Sequence, residues 1–192
     1  MVLEFSFKNV KGVIFDLDDT LVKTQLDFIG LKQEINCPTE NDILTFIEGL
    51  SGEQANNAHK IVLAHEINDA HTSKWMPGAK QFVELALQQA LPLAIVTRNC
   101  EEATRIKLVN NKIPIDLVLT REDAPPKPDP TALLQIAEQW NVRHEAIAYI
   151  GDYKYDIQAA HNANMQAWLF QPNKYFNDFA SCLRLIPKTE TV

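Results

Sequence analysis

Five short apolar runs, each closed by polar residues and set off from its neighbours by longer stretches, constrain this chain more than any other feature. They are VIF at 13–15, PLAIVT at 92–97, DLVLT at 116–120, AIAYIG at 146–151 and QAWLF at 166–170. Short runs of aliphatic and β-branched residues bounded by turn-type residues read as strands buried on both faces. From Gly78 onward they alternate with helical patterns: one carrying Phe82, Val83, Leu85 and Leu87, then one near 101–110, one near 130–140 and one from about Tyr153. That alternation is the signature of a parallel sheet wound with crossover helices, so an α/β fold with about five strands is expected. The tail from Asn173, with Tyr175, Phe176, Phe179 and Leu183, reads as one amphipathic helix.

One block breaks the alternation. Residues 21–77 read as helical throughout, without a strand: Leu26, Ile29, Leu31 and Ile35 recur at near-helical spacing, and Ile43, Leu44, Phe46 and Ile47 form a second apolar face with Thr39 as the expected cap. A longer helix from about Glu53 to Trp75 follows, stopped by Pro77-Gly78. The block reads as an insertion between the first strand and the rest of the sheet.

Charge narrows the partners. A formal charge of -7 argues against nucleic acid or an anionic membrane surface, because phosphate backbones are held by clustered Lys and Arg. Any phosphate must be captured locally. Cys37, Cys100 and Cys182 are odd in number and lack paired-ligand spacing, which suggests neither a disulfide framework nor a zinc site and fits a cytoplasmic protein. No stretch has the length needed to span a bilayer, so a soluble, unprocessed chain is expected.

In a doubly wound sheet the carboxyl ends of the strands converge on one crevice, where ligands bind. Four of those ends carry chemistry here. Asp16 and Asp18 follow the first strand, Thr97 ends the second, Lys127 lies beyond the third in PPKPDP, and Asp152 follows the fourth in GDYKYD, with Asp156 one helical turn on. Convergence of Asp16, Asp18 and Asp152 would be costly without a cation, and an all-oxygen set suits magnesium. Asn99 and Glu102 fit a capping box that would turn a helix N-terminus and the Thr97 hydroxyl toward a phosphate; taken alone, these residues read first as a capped turn without ligand. Asp129 is an expected helix cap, with Pro130 as first helical residue.

The four segments together resemble the haloacid dehalogenase-like hydrolase superfamily, mostly phosphatases, in which four short motifs come in this order. DLDDT matches the first, the strand ending in Thr97 the second, Lys127 the third and GDYKYD the fourth, over residues 13–156. The resemblance implies a Rossmann-like three-layer core (residues 1–20 and 78–192), a helical cap (21–77) and Mg2+-dependent phosphoryl transfer. It further implies Asp16 as nucleophile and Asp18 as general acid and later base, with magnesium on Asp16, Asp18 through its main-chain carbonyl, and Asp152. Thr97, Arg98 and Lys127 would hold the phosphoryl group, with Asp156 and Thr20 in support. Asp18 points to phosphate esters, since halide needs no protonation on leaving; Asp19 stands where many relatives have Gly.

The implied activity is a phosphatase acting on a small phosphorylated metabolite of the phosphoglycolate or sugar phosphate type, in a monomer or, alternatively, a homodimer. A phosphomutase or pyrophosphatase of the same superfamily is the near alternative. A non-catalytic receiver-like module also combines acids, Thr and Lys on a parallel sheet, but its phosphoacceptor follows a later strand. Lys23, Lys60 and Lys74 are candidate cap contacts to substrate. His59, His65 and His71 stand six apart, about 240° around a helix, and so do not line one metal site. Trp75, Trp140 and Trp168 read as packing residues.

Overall fold

A computed structural model describes residues 5–172, 178–190 and 192. The central sheet contains β1 (Gly12–Phe15), β4 (Leu93–Val96), β5 (Leu117–Leu119), β6 (Ile147–Gly151), β7 (Gln166–Phe170) and β8 (Leu183–Ile186), in the order β5-β4-β1-β6-β7-β8. The first five strands in that order are parallel; β8 alone is antiparallel, on β7.

The inner strands β1, β4 and β6 are buried on both faces because helices cover either side of the sheet. Along β1, Val13 and Phe15 point to one face and Ile14 to the other. On the first face Phe15, Ile95, Ile150 and Phe170 pack against Phe82, Val83 and Ala86 of α4 (Ala79–Gln88). On the other, Ile14, Val96, Tyr149 and Leu169 meet Leu133 and Ile136 of α6 (Thr131–Trp140) and Ile157 and Ala160 of α7 (Lys154–Asn162). The result is the expected three-layer, Rossmann-like α/β arrangement. Gly12 is required by packing, since a Cβ there would lie 2.6 Å from the Trp140 ring.

Three helices stand between β1 and α4: α1 (Phe28–Glu34), α2 (Ile43–Glu48) and α3 (Gly52–Thr72). Leu31, Ile35, Cys37, Ile47, Ala58 and Val62 form an apolar cluster of their own among them. The block is not helical throughout, as the sequence reading had it. Two short strands, β2 (Val22–Lys23) and β3 (Lys74–Trp75), pair antiparallel where the chain enters and leaves it. Two-residue strands are too short to leave a periodic signal.

The tail differs as well. Ala180–Cys182 is a single 3-10 turn and the following residues are strand β8, not an amphipathic helix; Tyr175 and Phe176 lie outside the described residues. Phe179 is buried, stacking on Phe170, which draws this segment onto the sheet. Helix starts also shift by a residue or more. The N-cap of α2 is Asp42 instead of Thr39, and that of α6 is Pro130, with Asp129 accepting from the Thr131 amide at 2.8 Å. Among the described residues no helix is long and apolar enough to cross a membrane.

Candidate active site

The topological switch lies at β1: the chain leaves it for β4 and β5 on one side, then returns to β6 and β7 on the other. The carboxyl ends of β1, β4 and β6 therefore surround one crevice. The Asp16 amide still donates to Ile150 O at 2.8 Å, extending the pairing with β6 and fixing where its side chain begins. The chain then turns tightly. Leu21 and Val22 amides both donate to Leu17 O at 2.9 Å, and Asp19 adopts φ 54°. That left-handed conformation explains why Gly suits the position and why Asp, one of the few tolerated alternatives, can replace it.

Lys127 is the hub of the buried half. Its Nζ lies 2.5 Å from Asp16 Oδ1, 2.6 Å from Asp156 Oδ1 and 2.8 Å from the Tyr149 hydroxyl, with 3% of the side chain exposed. Its position comes from the proline-rich loop after β5, in which the Lys127–Pro128 peptide is cis. Both oxygens of Asp156 are engaged by donors. Besides Lys127 it accepts from the Tyr149 hydroxyl at 3.0 Å and, through its other oxygen, from the Tyr153 amide at the start of α7. This close approach needs Gly151, where a Cβ would stand 2.3 Å from the Asp156 carboxyl carbon.

Carboxylate oxygens of Asp16, Asp152 and Asp156 lie within 4.8 Å of one another. Burial raises the Asp16 carboxyl well above the usual range, against the pull of Lys127 and with the push of Asp156 and Asp152. Asp152 is pushed up to about 7, again mainly by burial, then by Asp156 and Asp19. Burial opposes the Lys127 charge, but Asp156 and Asp16 outweigh it and raise its pKa. Ionised together, the three carboxylates would outnumber the one ammonium by two charges in a pocket of oxygen ligands, an arrangement that fits a hard divalent cation. Since Asp156 is occupied by its donors, Asp16 and Asp152 are the side chains suited to hold it. Thr20, fully buried, reaches Asp152 Oδ1 at 3.5 Å.

The other half of the crevice spans two parts of the chain. Asp18 has turned away from the carboxylate cluster: its Oδ1 meets Lys107 Nζ at 2.5 Å and its Oδ2 accepts from the Asn99 side chain. Any metal contact from Asp18 would therefore be through its main chain. Thr97 is buried, its hydroxyl accepting from the Asn99 amide at 3.2 Å. Arg98 pairs with Asp42, the cap residue of α2, at 2.6 Å, and its guanidinium lies 4.8 Å from the Tyr155 ring centroid. Asp18, Asp42, Thr97, Arg98, Asn99 and Tyr155 line a cavity of about 470 Å³ with Leu26, Phe28, Ile43 and Val62. Lys23, Lys60 and Lys74 do not line it; Lys32 is the lysine from the helical block that does.

The expected capping box of α5 (Glu101–Asn111) is replaced. Asn99 is drawn to Asp18, so Cys100 becomes the cap, with its Sγ accepting from the Ala103 amide. The first amides are not turned to a phosphate, because Cys100 N donates to Glu66 and Glu101 N to Glu122. Glu66, on α3, also pairs with Arg121 at 2.5 Å. The sequence reading missed Tyr149, Lys107, Asp69 and Glu66. Only Tyr149 left a signal, a hydroxyl-bearing residue inside an otherwise aliphatic strand, which must find a partner when buried.

A mostly parallel sheet with a carboxylate–lysine cluster at its switch point is an α/β fold with a polar site where ligands bind, and comparison identifies its family. The chain belongs to the haloacid dehalogenase-like hydrolases, whose family model matches residues 13–170. A haloacid dehalogenase-like hydrolase domain-containing protein of Arabidopsis thaliana is 26% identical over 154 residues, covering 74% of this chain and 63% of that protein. An uncharacterized hydrolase of Saccharomyces cerevisiae is 29% identical over 164 residues, covering 81% and 75%. Among solved structures, a predicted phosphoglycolate phosphatase from Haemophilus somnus superposes with a TM-score of 0.66 at 20% identity, covering 84% of this chain and 85% of that one. At that identity the fold is what the two share.

Proposed function

We propose that this protein is a Mg2+-dependent phosphatase of small phosphorylated metabolites that works through an aspartyl-phosphate on Asp16. One observation carries the reading: Lys127, buried, joins Asp16 and Asp156 beside Asp152 at the switch point of the sheet. A carboxylate aimed into a crevice can accept a phosphoryl group, and a second carboxyl group two residues on can protonate the leaving oxygen and later take a proton from water. Asp16 would be the first and Asp18 the second. Bound magnesium would neutralise phosphoryl charge and oppose the repulsion among the acids.

The remaining residues position the substrate. Lys127 and the Thr97 hydroxyl would hold the transferring oxygens, where preorganised charge and donors contribute most. Asp156 keeps Lys127 oriented. Arg98 would meet a phosphoryl oxygen only by leaving Asp42, and in this arrangement it closes the cavity wall instead. Residues 21–77 would act as a cap over a core of 1–20 and 78–192, a division supported by the separate apolar cluster of α1–α3 and the paired strands β2 and β3 at its edge.

The test is phosphate release by purified protein from p-nitrophenyl phosphate and a panel of phosphorylated metabolites, with magnesium or with chelator. Metal-dependent turnover is expected on at least one ester. No release from any of them in the presence of magnesium would refute the reading.

A further inference from the structure

Lys107 has no part in the reading above, and no motif marks it. It stands on α5 with only 1% of its side chain exposed, and burying an ammonium group is costly unless it is paired. Two carboxylates pair it, from different parts of the chain. Asp18 Oδ1, from the loop after β1, lies 2.5 Å from Nζ, and Asp69 Oδ2, near the end of α3, lies 2.8 Å away. Asp69 does more than neutralise. It accepts from the Gln25 amide at 2.7 Å and from the Thr24 hydroxyl at 2.9 Å, gripping the segment that leads from β2 to α1.

A pair serving stability alone has no need of a residue at the cavity wall, and apolar residues of similar volume often stabilise as well. Asp18 is at that wall, with 27% of its side chain exposed, while the lysine that holds it is sealed from water. Asn99 takes the second oxygen of Asp18, so the carboxyl group is held at both ends. The same side of α5 carries Asn110 and Asn111, which bond Ala70 O and Ser73 just beyond Asp69. Lys107 thus sits where α5, α3 and the entry to the helical block meet.

We propose that Lys107 is a positioning residue: it fixes the Asp18 carboxyl group in the orientation that meets the leaving oxygen, with Asp69 securing it only while α3 and residues 24–25 are docked. The assignment rests on the role of Asp18 proposed above. In that reaction the Asp16 oxygen–phosphorus bond forms as the phosphorus–leaving-oxygen bond breaks, and the Asp18 proton passes to the leaving oxygen. Water then breaks the Asp16–phosphorus bond and returns a proton to Asp18. Lys107 neither gives nor receives one.

Two probes separate this from a structural role. p-Nitrophenol departs readily as an anion, whereas the alcohol of benzyl phosphate needs its proton delivered. kcat/KM reports the step in which the leaving group departs. For Lys107→Met, kcat/KM on benzyl phosphate should fall on the order of 10²-fold and on p-nitrophenyl phosphate by less than about tenfold, with Lys107→Arg restoring much of the loss. Should the Met variant not fold, Lys107→Met with Asp69→Asn removes the buried unpaired acid and should show the same split. Equal losses on both esters, or none on either, with the wild type active, would overturn the assignment and leave the hydrolase reading intact. Wild-type protein inert on both esters would overturn the hydrolase reading and the assignment with it.

Discussion

The two halves of the crevice are built differently. Around Lys127 every partner comes from the sheet's own strand ends or the loops and helix that follow them: Asp16 after β1, Tyr149 on β6, Asp156 on α7. Around Asp18 and Arg98 the partners cross to the helical block, through Lys107 to Asp69 and through Arg98 to Asp42. The first half is preorganised by the fold of the core. The second is complete only while α2 and α3 are docked. On the proposed function, such a division would keep the phosphate and metal end rigid and let the leaving-group end respond to substrate.

The largest expected effect breaks the first half. Asp16→Asn should lower kcat on p-nitrophenyl phosphate on the order of 10⁴-fold, as loss of a nucleophile does, with little change in melting temperature. Lys127→Met should cost activity and also about 3–5 kcal/mol of stability in denaturant titrations, because Asp16 and Asp156 lose the cation between them. Tyr149→Phe removes only a hydroxyl between Lys127 and Asp156 and should cost about 1–3 kcal/mol, measured the same way.

The same half predicts a pH dependence. With Asp152 pushed up to about 7 and Asp16 raised as well, the folded metal-free chain binds more protons than the unfolded chain between roughly pH 4 and 7. Stability from these groups is present at the acid end of that window and lost as pH rises through it. Thermal melts of metal-free protein should fall from pH 5 to pH 8, and magnesium should flatten the slope by favouring the carboxylates. Asp42 and Asp69, although burial opposes it, are held below their usual range by partners that include Arg98 and Lys107; their opposite contribution lies at lower pH. The smallest effect breaks the second half: Asp42→Ala loses a pair whose side chains are 25% and 19% exposed, and a helix cap, about 1 kcal/mol, and should raise KM more than it lowers kcat.

The contrast between the halves is also a contrast in legibility. Asp16, Thr97, Lys127 and Asp152 were readable because each follows an apolar strand, and a doubly wound sheet gathers such ends whatever their separation along the chain. Lys107 and Asp69 were not, because a helical side chain reaching across to another element leaves no fixed spacing. Asn99 read as a cap for a local reason, and a tertiary partner, Asp18, outbid that preference. Strand β8 was missed because its Leu-Arg-Leu-Ile follows aromatic residues that suggested a helix, and only the edge of β7 makes it a strand.

The most direct measurement of the central claim is acid-quenched, single-turnover reaction of the magnesium-loaded protein with p-nitrophenyl phosphate, followed by peptide mass spectrometry. A phosphoryl adduct on the peptide containing Asp16, absent in Asp16→Asn and absent with chelator, is the predicted result. Turnover without any adduct, or an adduct carried by a different residue, would contradict it.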